Sequence, residues 1–259
     1  MVLLVLSSSF ALAHEDASEA DEAQLKARVM SVVIISSILV TAAVILSIIF
    51  RKISNHKTML FLLIIIPVLV TTLYTVGSTI YLNQISVTKG PVHWHADFEI
   101  WNCGEKIDLI DSQGLSNRVG TPVFHEHDDS RVHIEGVVVN NEEISLGNFF
   151  NIVGGSLTKH ILRVRTNQEI LSLHNGDLCN GEPGKIQVFL YKVVNPEEQG
   201  NWSYVQEKVE DYVPYALSPY LLVPPGDCII VEFDLEKEKT DKICTSYEAA
   251  ITKGELHGG

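Results

Sequence analysis

Five of the ten histidines in this chain fall between positions 93 and 133. They form two H-x-H pairs and a single: His93 and His95 in HWHADFEIW, His125 and His127 in FHEHDD, and His133 in RVHIEG. Neutral imidazole is the commonest protein metal ligand, because one ring nitrogen offers a lone pair while the other carries a proton. Two or three such rings converging on one point can hold a divalent transition ion. Side chains alternate across a β-strand, so an H-x-H pair in extended sequence sends both rings to one face. The chemistry this spacing points to is metal binding.

The neighbouring residues fit strands. In HWHADFEIW, Trp94, Ala96, Phe98 and Ile100 share one face, and His93, His95, Asp97 and Glu99 share the other. His133 and Glu135 sit opposite Val132, Ile134 and Val138 in the same way. If these strands are neighbours, three segments present imidazoles to one surface. Glu99 or Asp128 would complete the ligand set, or orient the rings as hydrogen-bond acceptors. The competing reading is a polar sheet face whose histidines make ordinary hydrogen bonds.

Imidazole with carboxylate suits zinc or copper(II) first, and non-haem iron also. A blue-copper centre needs two histidines and a cysteine, usually with a weak axial methionine. Met1, Met30 and Met59 all precede the domain that holds these five histidines, and no cysteine has a histidine a few residues downstream. These positions argue against blue copper.

The elements that must position these residues follow from composition. The formal net charge of −13 is uneven. Residues 1–82 balance five basic against five acidic side chains, and the remainder holds fourteen basic and twenty-seven acidic ones. An acidic domain repels phosphate backbones, which argues against a nucleic-acid partner, and it concentrates cations near its surface.

Residues 29–50 and 58–82 are two runs free of charged side chains. The shorter spans about 33 Å as a helix, enough to cross a bilayer core. Pro67 and Gly77 in the second run are tolerable in a membrane helix. The link between them, residues 51–57, carries Arg51, Lys52 and Lys57, so the positive-inside rule places it in the cytoplasm. The acidic segment 14–28 and everything after residue 82 then lie outside. Residues 1–13 read as the apolar region and A-x-A site of a signal peptide, with Ala11, Leu12 and Ala13 before the cut. Lys26 and Arg28 stand against this orientation, and the leader lacks a basic start.

All four cysteines, Cys103, Cys179, Cys228 and Cys244, follow the second span. An even count outside the cytoplasm suggests two disulfides, with three connectivities open. A local Cys228–Cys244 bridge with Cys103–Cys179 is the favoured pairing, and four buried thiols are the alternative. No C-x-x-C occurs, so neither redox catalysis nor a zinc ribbon has support.

Residues 83–235 read as one mainly β domain, a sandwich or barrel, with an α+β arrangement as the alternative. VHIEGVVV, HILRVR, EILSL, KIQVFLYKVV and CIIVEFDL are strands, and Asn102–Gly104 turns HWHADFEIW into a hairpin with EKIDLI. SLGNFFNIV, from a capping Ser145 to Gly154, is a short helix. Asn201-Trp202-Ser203 fits the glycosylation pattern. Residues 236–259, charged and then Gly-ended, are expected to be a peripheral extension.

Three resemblances attach to these motifs. HWHA resembles the HWHG segment of multicopper oxidases, but that family has four H-x-H-type motifs and only two occur here. His93-x-His95-x-x-x-Glu99 is similar to the core of the first cupin motif, with the flanking glycines off spacing and no second-motif histidine. The order HWHADFEIWNCGE, FHEHDDSRVHIEG, SLGNFFNIVGG resembles an uncharacterised family of membrane-tethered microbial proteins with H-x-H, H-x-H-D and H-I-E in that order. That resemblance implies an extracytoplasmic domain and no particular activity.

The expected protein is therefore a membrane-anchored extracytoplasmic domain that captures, senses or stores a divalent transition metal. A cupin-like metal-dependent enzyme is the first alternative. The second is an assembly module with incidental histidines, its hairpin packed against a partner membrane protein.

Overall fold

The computed structural model describes residues 9–49, 57–115 and 117–258. Residues 1–8, which hold most of the expected signal sequence, and residues 50–56, which hold most of the cationic link, lie outside the described residues. The chain divides into two compact units, residues 1–90 and 91–259.

The first unit is a pair of helices, α1 (Ser9–Ile49) and α2 (Lys57–Ile85). Residues 24–49 and 57–85 are each long and apolar enough to cross a membrane, with mean hydropathy of 2.9 and 2.5. Almost none of their side chains is fully buried, unlike those of a core helix in a soluble bundle. Several hydroxyls are satisfied locally, whereas Asn83 Oδ1 has no hydrogen-bond partner among the described residues. Ser37 and Thr41 hydroxyls donate to carbonyls four residues back, and Thr71 Oγ1 donates to Ser36 Oγ across the pair at 2.6 Å. Such internal satisfaction is what a segment in hydrocarbon requires.

The second unit is mainly β. β1 (Pro91–Asn102) and β2 (Glu105–Ile107) form a hairpin, followed by β3 (Val119–Gly120), β4 (Phe124–Glu126) and β5 (Arg131–Val137). A 3-10 turn leads into α3 (Leu146–Ile152). β6 (Ser156–Leu157), β7 (Ile161–Arg165) and β8 (Ile170–His174) make a three-stranded sheet, and β9 (Leu178–Cys179) and β10 (Glu182–Pro183) a small ribbon. β11 (Lys185–Val193), β12 (Trp202–Lys208), β13 (Cys228–Asp234), α4 (Thr245–Thr252) and β14 (Leu256–Gly258) complete the unit.

The principal sheet has nine strands in the order β14-β12-β11-β13-β1-β5-β4-β3, with β2 also on β1. β1 runs parallel to β13 and antiparallel to β5, so the sheet is mixed and open. No barrel closes. The β1–β2 hairpin turns at Cys103 (φ 49°) and Gly104 (φ 86°), the paired positive φ of a two-residue primed turn.

Alternation along these strands builds two cores. On one face Ala96, Phe98, Ile100, Val132 and Ile134 are buried against Phe149 and Phe150 of α3 and against β7. Phe98 and Phe149 meet edge to face with centroids 5.0 Å apart. α3 starts where expected, with Ser145 Oγ accepting from the Asn148 N–H. Each fully buried apolar side chain contributes roughly 1.5–3 kcal/mol.

The opposite face is covered at one end by the C-terminal segment, which corrects the expected peripheral extension. Tyr247 is completely buried, and with Ala250 and Leu256 it packs on Phe189, Tyr191 and Ile230. Its hydroxyl donates to the Tyr191 and Gly226 carbonyls. β14 then adds to the sheet edge beside β12, itself a strand not anticipated around the Asn201-Trp202-Ser203 motif.

The cysteines form the favoured pairs, Cys103–Cys179 and Cys228–Cys244. The second joins the start of β13 to the residue capping α4, so it holds the C-terminal segment on the sheet.

Candidate metal centre

β1, β5 and β4 are consecutive in the sheet, and their register decides where the imidazoles go. His95 pairs with His133 across β1–β5, and His133 pairs with His125 across β5–β4. The three rings therefore form a row perpendicular to the strands, about 4.8 Å from strand to strand. His93 lies two residues before His95, and His127 two after His125, on the same face. All five expected imidazoles converge on one surface because the partners of each strand's other face are buried in the core.

The row is tight. Ring centroids are 4.6 Å apart for His93–His95, 4.5 Å for His95–His133, 4.8 Å for His127–His133 and 4.7 Å for His125–His127. His125 and His133 stack in parallel at 5.5 Å. Two triads have ligand nitrogens within 4.8 Å of one another: His93, His95 and His133, and His125, His127 and His133. His133 belongs to both.

Three of the rings have one nitrogen hydrogen-bonded to an oxygen acceptor, and His93 faces a carboxylate. His95 Nδ1 donates to the Leu221 carbonyl at 2.5 Å, and His127 Nδ1 donates to the Asn117 carbonyl. His125 lies beside the Thr121 backbone, whose pull on its proton is weaker than the effect of burial. His93 Nε2 faces Glu135 at 3.1 Å, and His133 Nε2 faces Asp129 at 3.3 Å. A carbonyl or carboxylate oxygen can only accept, so in each case the facing nitrogen carries the proton and the other holds the lone pair. Two of the remaining nitrogens, His95 Nε2 and His125 Nδ1, are buried with no hydrogen-bond partner in the protein. Metal-binding histidines are oriented in this way by their outer-shell acceptors.

These acceptors come from loops held against the strands. The His95 N–H donates to the Tyr220 carbonyl and the Asp97 N–H to the Asp227 carbonyl, which lays residues 220–227 alongside β1. Gly226 packs so closely on β1 that a Cβ there would lie 2.3 Å from the His95 carbonyl oxygen. Asp227 anchors the loop by accepting from the Tyr215 hydroxyl at 2.6 Å. On the other side, buried Glu126 accepts from the Asp129 and Ser130 N–H groups, shaping the β4–β5 turn that brings Asp129 to His133. Burial pushes the Glu126 carboxyl above its ordinary range.

His95, His125 and His133 are set to be neutral. Burial lowers His95 and His125, with the neighbouring histidines adding to it. His133 is pushed down to about 4, chiefly by burial and against the pull of Asp129. Metal binding in neutral solution then displaces no proton from these three rings.

Two expected residues are not brought to the imidazoles. Glu99 shares their face but sits farther along β1, where it accepts from Lys106 Nζ and Trp101 Nε1. Asp128 turns away and accepts from the Ser112 N–H and hydroxyl. Both line a separate acidic cleft of about 220 Å³ that no histidine lines. The carboxylates beside the rings are Glu135 and Asp129. Glu135 was visible as a same-face neighbour of His133, whereas nothing in the turn sequence marks Asp129.

No protein-family model, curated protein or solved structure matches the chain.

Proposed function

We propose that this protein is a membrane-anchored, extracytoplasmic metal-binding protein whose five histidines capture a divalent transition ion. The observation that carries the reading is the orientation of the rings. Five imidazoles share one sheet face, and three of them hydrogen-bond one nitrogen to an oxygen acceptor, which leaves the other nitrogen for a ligand. A polar face with incidental histidines has no reason to bury two lone-pair nitrogens without partners. Zinc and copper(II) suit an all-imidazole set best, with iron behind them.

The two uncovered apolar helices support the anchor, and the two disulfides support an oxidising compartment. Capture, storage or sensing fits better than catalysis. A metal-dependent enzyme is the second reading, favoured because three histidines leave a coordination position open. Against it, the acidic cleft lies apart from the histidines and, at about 220 Å³, falls below the usual 300–1,000 Å³ of substrate sites.

Elemental analysis of the full chain in detergent, after exposure to zinc or copper and desalting, tests the reading. Bound metal that disappears in His95→Ala/His125→Ala supports it. Metal-free wild-type protein overturns it and leaves the assembly module. For the anchor, protease added to intact cells should cut the second unit; full protection would reverse the orientation.

A further inference from the structure

The two triads share His133, and that shared ring has only one nitrogen to give. Its Nε2 donates to the Asp129 carboxylate, so Nδ1 alone keeps a lone pair. One lone pair binds one ion. An ion held by His93, His95 and His133 therefore denies His133 to the other triad, and the converse holds.

The triads also differ in access. The His93 side chain is 54 % exposed, and its partner Glu135 is 43 % exposed. In the other triad His125 is 1 % exposed, while the shared His133 side chain is 12 % exposed. The triads thus differ at one ring each, exposed His93 in one and buried His125 in the other, while His95 and His127 are half-buried alike. Asp129 stands beside the ring common to both.

We infer that the centre holds one ion at two alternative stations, an outer one of His93, His95 and His133 for loading and an inner one of His125, His127 and His133 for retention. The inference rests on the metal-binding reading above. His133 stays bound while His93 and His95 are exchanged for His125 and His127, so the ion moves inward without returning to water. No proton or electron changes hands, because each exchange replaces one imidazole lone pair with another.

The test uses the full chain in detergent micelles with cobalt(II), whose visible absorption reports its ligands. Wild-type protein should bind about one ion per chain. His93→Ala should still bind one ion, but load about tenfold more slowly. His127→Ala should load at the wild-type rate and lose its ion to a chelator about tenfold faster. His133→Ala should retain none; if that variant does not fold, the two others decide. Two ions per wild-type chain would overturn the inference. So would equal loss of capacity in His93→Ala and His127→Ala, or unchanged kinetics in both. A wild-type chain that binds no cobalt, zinc or copper overturns the proposed function instead, which keeps the two failures distinct.

Discussion

His95 lies directly opposite His133 in the antiparallel ladder between β1 and β5, their ring centroids 4.5 Å apart. Neither ring chooses that position for itself. Ala96 and Ile134, the buried neighbours on the other face, fix the register, and a slip of one residue would turn every histidine into the core. The site is thus held in place by the hydrophobic packing behind it, and metal binding need not organise it.

The outer-shell carboxylates should matter nearly as much as the rings. Asp129→Asn and Glu135→Gln are each expected to weaken zinc binding by about 10- to 100-fold. Competition with a chromogenic chelator measures this, and wild-type affinity in both variants would contradict the assigned roles.

The metal-free protein should be acid-sensitive because of His133. Its folded pKa, about 4, lies below the ordinary 6.5. As pH falls, the unfolded chain takes up the proton first. Stability is complete above about 6.5 and declines toward about 4, by at most about 3 kcal/mol from this group. Urea unfolding between pH 7 and 4 should therefore show a smaller decline in His133→Gln. Identical pH profiles would refute the claim.

Gly226 should prove irreplaceable. A Cβ at 2.3 Å from the His95 carbonyl forces the loop off β1 and removes the Leu221 acceptor from His95. Gly226→Ala is expected to cost more than about 1 kcal/mol of stability and to weaken zinc binding. Thermal unfolding with a zinc titration checks both effects, and an unchanged pair of values would mean the loop does not position the ring.

The C-terminal segment should be indispensable to the fold. Tyr247 is completely buried and bonded to two carbonyls. Tyr247→Ala is expected to destabilise the protein by about 3–5 kcal/mol. Retained wild-type stability by chemical denaturation would return residues 236–259 to the periphery.

Much of this was legible in sequence because strand periodicity is local. Alternation in HWHADFEIW and RVHIEG placed the histidines opposite a core stripe, and Ser145 marked the start of α3. What was not legible is non-local or carried by backbone. Nothing around Cys228 announces a parallel partner at Asp97, and any residue could have supplied the carbonyls of Leu221 and Asn117. Glu99 misled because sharing a face does not bring residues together along a strand, and its partner Lys106 lies across a turn. Tyr247, Ala250 and Leu256 are too sparse among charged residues to read as a core stripe.

The most direct test of the central claim is X-ray absorption on the zinc-loaded full chain. Histidine ligation predicts a first shell of nitrogen at about 2.0–2.1 Å with the outer scattering of imidazole rings, lost in His133→Ala. An all-oxygen shell, or the same spectrum in wild-type and His133→Ala, would contradict it.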